Sequence, residues 1–185
     1  MSIVETAVQA AKELADCLGQ IREADVQRLT DDVLSAKRVY FAGAGRSLIA
    51  LRGVAMRFMH VGIETYVAGD TTTPAFEAGD LLIAGSGSGE TAGIINMVTK
   101  AKAIGGKTAL FTIRPNSTMA SLCNPVIIIP AYTDKVEISA KRPVLPGGSQ
   151  FEQALLLLGD TMILRLAQAR GVATDRPFAR HANLE

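Results

Sequence analysis

Gly85-Ser86-Gly87-Ser88-Gly89-Glu90-Thr91 sets three hydroxyls among three glycines, and residues with helical spacing follow at once. Glycines let a backbone come close to an anion, and the N–H groups at a helix start meet it with the positive end of the helix dipole. The hydroxyls of Ser86, Ser88 and Thr91 can add direct hydrogen bonds. The chemistry expected of Ser86, Gly87, Ser88, Gly89, Glu90 and Thr91 is therefore anion binding at a helix start. An ordinary strand-to-helix turn also uses Gly and Ser, and Glu90 also suits a helix N-terminus. Three glycines and three hydroxyls exceed what such a turn needs.

A second loop, Gly43-Ala44-Gly45-Arg46-Ser47-Leu48, begins like a dinucleotide fingerprint but has Leu48 where the third glycine belongs. Another use is open to it. Gly45 permits a tight turn, Arg46 can oppose a phosphate or a developing oxyanion, and Ser47 is expected to cap the next helix while reaching the ligand. The plainer alternative is a Ser cap beside a surface Arg. Gly106-Lys107-Thr108 is not a nucleotide loop, because Ala101 stands where the first glycine should be and a strand pattern follows. Glu152 stands where an irregular loop gives way to a helix. Burial against Phe151 and a sheet could bring it into the range of a working acid–base group; charge complementarity with the helix start is the alternative.

The elements that must position these residues follow from periodicity. Residues 3–34 carry apolar side chains at helical spacing, as one long helix or two broken near Gly19. Short β-prone runs then recur at 38–42, 64–67, 81–84, 108–112 and 126–129, separated by helical patterns at 47–60 and 91–103, with a shorter one possible at 115–122 and a long one at 151–169. Strand–helix alternation predicts an α/β fold: a doubly wound five-stranded parallel sheet of the flavodoxin-like class, with helices on both faces. Such sheets bind ligands beyond the carboxyl ends of strands where the strand order reverses, so the loops after the first and third strands are the places to search. Residues 130–150 lose periodicity and collect Pro143, Pro146, Gly147 and Gly148, forming a loop long enough to be a lid or binding loop. The expected organisation is a single domain over 1–185, with a helical segment over about 1–36, an α/β core over about 37–170 and a tail over 171–185.

Nineteen Lys and Arg against eighteen Asp and Glu give a net charge of +1, with no basic run that could track nucleic acid. The two cysteines, Cys17 and Cys123, suit free thiols in a reducing compartment. No secretory pattern opens the chain, and its strongest apolar stretch, 154–167, is interrupted by Asp160 and Arg165. A cytoplasmic protein acting on a small molecule, with neither nucleic acid nor membrane as partner, is the expectation.

With Thr71-Thr72-Thr73-Pro74, Ser149-Gln150-Phe151-Glu152-Gln153 and the tail Arg180-His181-Ala182-Asn183-Leu184-Glu185, the two loops resemble the sugar isomerase (SIS) domain. Within it, nearly the whole chain is similar to the 6-phospho-3-hexuloisomerase family. The resemblance implies interconversion of D-arabino-hex-3-ulose 6-phosphate and D-fructose 6-phosphate in the ribulose monophosphate pathway of formaldehyde fixation. It also implies no cofactor and no metal, a homotetramer, Ser47 and residues 86–91 on the substrate, and Glu152 as proton acceptor. The chain departs from the family at Gly147, where a bulkier residue, often Met, is expected. His60 and His181 are candidates for opening the ring of fructose 6-phosphate. For His60 the alternative is an imidazole facing a helix C-terminus; for His181 it is a free tail rather than one docked over a neighbouring subunit's site. Two other functions share the fold, namely a different aldose–ketose isomerase and a non-catalytic sugar-phosphate sensor.

Overall fold

The computed structural model describes residues 1–134, 142–174, 180, 181, 183 and 184. Two helices open the chain, α1 (Ile3–Leu18) and α2 (Glu23–Ser35), so the break near Gly19 is real. Ser2 starts α1 through a reciprocal capping box, its hydroxyl accepting from Glu5 N–H while the Glu5 carboxylate accepts from Ser2 N–H. Five strands follow, β1 (Val39–Gly43), β2 (Thr65–Val67), β3 (Leu81–Gly85), β4 (Lys107–Thr112) and β5 (Val126–Ile128). Between and after them run α3 (Gly45–His60), α4 (Ala92–Ile104), α5 (Thr118–Leu122) and α6 (Ser149–Ala169).

The strands pair in the order β2-β1-β3-β4-β5, every pair parallel. Alternate side chains leave a strand on opposite faces, and here both faces are covered, so the strands read as continuous apolar runs. Val39, Phe41, Leu81 and Ile83 enter one core with α1, α2, α3 and α6; Tyr40, Ala42, Leu82 and Ala84 enter the other with α4 and α5. Fully burying a side chain such as Phe41 or Ile83 stabilises the fold by about 1.5–3 kcal/mol.

The lower rim of the sheet is fixed by an ion pair. Asp80, fully buried, accepts two hydrogen bonds from Arg38, at 3.1 and 2.7 Å, and a third from Glu77 N–H. Arg38 also donates to Ala75 O, so one guanidinium holds the return from β2 to β3. Both thiols are buried and unpaired with each other. No helix among the described residues is long and apolar enough to cross a membrane.

Candidate active site

The sheet reverses its winding between β1 and β3. From β1 the chain crosses to β2 on one side, and from β3 it crosses to β4 on the other. The two loops therefore diverge from neighbouring strand ends, Gly43 lying opposite Gly85, and leave a crevice between them. The starts of α3, α4 and α6 all border that crevice. Three positive dipole ends favour an anion there.

In the first loop the helix begins earlier than the sequence suggests. Ala44 is extended (φ −139°, ψ 150°), Gly45 turns the chain at φ +55°, and Ala44 occupies the N-cap with no side-chain cap bond. Ser47 is thus in the first helical turn and does not cap it, which corrects the expected role. Its side chain keeps the other role available, since Ser47 lines the crevice.

The second loop is folded by its own hydroxyls. Ser86, 4% exposed, accepts from Gly89 N–H at 3.2 Å and lies 3.1 Å from the Thr91 hydroxyl, and Ser88 accepts from Glu90 N–H at 3.2 Å. Gly89 has a φ of +67°, and a Cβ there would lie 2.1 Å from Ser117 Oγ. Glycine is required on both counts. Glu90 faces away from the crevice: its carboxylate accepts from Thr118 N–H at 2.9 Å, which lowers its pKa and fastens the loop to the start of α5.

Glu152 is in the first turn of α6, with its side chain 15% exposed. The Arg46 guanidinium, 68% exposed, donates from Nε to Glu152 Oε2, and this hydrogen bond with the accompanying charge attraction raises the arginine's pKa. Ser47, Ser86, Gly87, Ser88, Thr91 and Glu152 line one cavity of about 120 Å³, together with Thr133 and Phe151. The structure thus gathers most of the expected residues around a carboxylate. Gly89 and Glu90 shape the loop behind the wall.

His60 and His181 are elsewhere. His60 ends the helix that Gly45 begins, roughly 20 Å along the axis from Ser47 at the usual rise per residue. It is 3% exposed and stacks on His181 with ring centroids 5.0 Å apart. Desolvation first, then the proximity of His181 and Arg57, lowers its pKa. Of the expected tail, Arg180, His181, Asn183 and Leu184 are described, whereas Ala182 and Glu185 lie outside the described residues.

Gly148, from the expected binding loop, also borders the cavity, as do Thr133 and Ile113, which were not singled out in the sequence. Thr133 had a signal, its place in the aperiodic loop 130–150, of which residues 135–141 lie outside the described residues. Gly147 has a φ of +66°, while a Cβ there would meet nothing within 4 Å. Backbone conformation, not lack of space, accounts for glycine where a larger residue was expected. Among the described residues no three His, Cys, Asp or Glu side chains are gathered as a metal ion would require.

A parallel sheet of this order with a crevice at its switch point is a doubly wound α/β fold, and the chain belongs to the SIS domain family, whose pattern matches residues 32–141. Its relatives are more specific. The protein named 3-hexulose-6-phosphate isomerase in Bacillus subtilis (strain 168) is 36% identical over 185 residues, covering 100% of both chains. Its namesake in Mycobacterium gastri is 41% identical over 173 residues, 94% of this chain and 86% of that one. A crystal structure of a Methanococcus jannaschii protein, described as inferring a molecular function of 3-hexulose-6-phosphate isomerase, superposes with a TM-score of 0.83 at 28% identity. It covers 98% of this chain and 99% of that one.

Proposed function

We propose that the chain interconverts D-arabino-hex-3-ulose 6-phosphate and D-fructose 6-phosphate through an enediolate, with Glu152 moving the proton. The observation that carries this reading is that Glu152 faces the same small cavity as the hydroxyls of Ser47, Ser86, Ser88 and Thr91. Full-length relatives bearing the name of that activity support the choice of substrate.

The phosphate sits at the start of α4, held by Ser86, Gly87, Ser88 and Thr91 and drawn by the converging helix dipoles. Fixing the phosphate fixes the far end of an open-chain sugar and brings C2 and C3 to the carboxylate. Glu152 takes the C2 proton of the 3-ketose as electrons flow to the C3 oxygen; the O2 proton then passes to O3, and Glu152 returns its proton to C3 as the carbonyl forms at C2. Arg46, already on Glu152, is placed to stabilise the oxyanion as the proton leaves. His60, at the far end of α3, and His181, stacked on it, are too far from this cavity to serve it within one protomer; if they act in ring opening, they do so at the site of a neighbouring copy in the proposed homotetramer. The reading places one SIS domain over 1–185 in the cytoplasm, in formaldehyde fixation through ribulose monophosphate.

The test is direct. Protein added to enzymatically made hex-3-ulose 6-phosphate should yield fructose 6-phosphate. Binding of fructose 6-phosphate without turnover would favour a sensor. Turnover only of an aldose such as arabinose 5-phosphate would favour another isomerase of the fold.

A further inference from the structure

The segment Ser149-Gln150-Phe151-Glu152-Gln153 contains a residue that the mechanism leaves unused. Gln150 and Glu152 are two apart in a helix, so their side chains point about 200° apart around its axis. Glu152 meets Arg46 of α3 on one side. Gln150 reaches α1 on the other: its Nε2 donates to Glu13 O at 2.9 Å, and its Oε1 accepts from Tyr132 N–H at 3.2 Å. The Glu13 carboxylate completes the seam by accepting from Val144 N–H at 3.0 Å.

These three bonds join distant parts of the chain around the cavity. Tyr132 precedes Thr133, which lines one wall, and Val144 belongs to the stretch leading through Gly148 into the first turn of α6, which forms another. The seam is not closely packed. A polar cavity of about 250 Å³ opens beside it, lined by Gln9, Asp16, Tyr132, Arg142 and Gln150 among others. Where apolar contact is sparse, the hydrogen bonds set the position of the loop.

We propose that Glu13 and Gln150 are positioning residues, bracing the loop 142–148 and the first turn of α6 so that Glu152 stands at its working place over the substrate. The assignment rests on the reading of this cavity as the isomerase site. The phosphate is held by a different loop, so loosening the brace leaves binding largely intact while misplacing the base. A misplacement near 1 Å can cost about a hundredfold in rate.

The experiment compares Glu13→Ala, Glu13→Gln and Gln150→Leu with the wild-type protein, measuring kcat and KM with hex-3-ulose 6-phosphate and calorimetric binding of fructose 6-phosphate. Alanine is a better helix former than glutamate, so Glu13→Ala removes the bond without weakening α1. Glu13→Ala and Gln150→Leu are expected to lower kcat about tenfold to a hundredfold, with KM within about twofold and full binding stoichiometry. Glu13→Gln, which retains an oxygen acceptor for Val144, is expected to restore most of kcat. Wild-type kcat in Glu13→Ala and Gln150→Leu overturns the brace. So does a Glu13→Gln defect as large as that of Glu13→Ala, or a loss of kcat that matches a loss of binding-competent protein. Absence of turnover in the wild type, with fructose 6-phosphate still bound, overturns the isomerase reading itself.

Discussion

Arg46, in the first turn of α3, donates from Nε to Oε2 of Glu152, in the first turn of α6, 106 residues further along the chain. The two loops that carry these helix starts leave different parts of the fold, and their side chains meet beside the crevice. In the proposed mechanism this guanidinium holds the Glu152 carboxylate in place and then meets the negative charge that develops on the sugar oxygen. For Arg46→Gln a fall in kcat of about a hundredfold is expected, the cost of one oxyanion donor, and Arg46→Lys should recover only part because an ammonium lacks the planar fork. Steady-state kinetics on both variants checks this.

Gly89→Ala tests the phosphate loop by geometry. Its backbone is left-handed and a Cβ would collide with Ser117, the residue that caps α5. Loss of about 1–3 kcal/mol of stability is expected, together with a raised KM. Ser88→Ala should raise KM by about tenfold, the loss of one hydrogen bond to a charged group, with little change in the unfolding midpoint. Thermal unfolding alongside kinetics separates the two outcomes.

Much of this loop was legible from sequence because its signals are local. Glycines and hydroxyls at the end of an apolar run mark the turn from β3 into α4 that borders the crevice, and the alternation of strands and helices fixes the class of sheet. Position Ser47 was harder. A serine before a helical run looks like a cap, but Gly45 turns the chain two residues earlier and Ala44 takes the N-cap. The partnerships Arg46–Glu152, Glu13–Val144 and Gln150–Glu13 join positions more than 100 residues apart, and no local pattern encodes them. His60 stood close in sequence to the first loop, yet a straight helix carries it to the opposite end.

His60 gives a pH dependence with a definite sign. Its pKa in the folded protein lies below the ordinary imidazole value of 6.5. Above that value both folded and unfolded states hold it neutral, and it makes no difference. As the pH falls through about 6.5 the unfolded state takes up the proton first, so stability is lost on acidification until the folded-state pKa is reached. The chain has only two histidines, so imidazole proton resonances are readily assigned. His60 should titrate below the ordinary imidazole value, and His60→Gln should flatten the fall of the unfolding midpoint between about pH 7 and pH 5.

The central claim is that Glu152 shuttles a proton between C2 and C3, and deuterium exchange reads it directly. Fructose 6-phosphate is incubated with the protein in D₂O and followed by NMR. The account predicts deuterium at C3 of the recovered fructose 6-phosphate with the wild-type protein, and incorporation slowed by about a hundredfold or more with Glu152→Gln, although that variant still binds the sugar. Exchange at C1, the mark of an aldose–ketose isomerase, or undiminished exchange at C3 by Glu152→Gln, would contradict it.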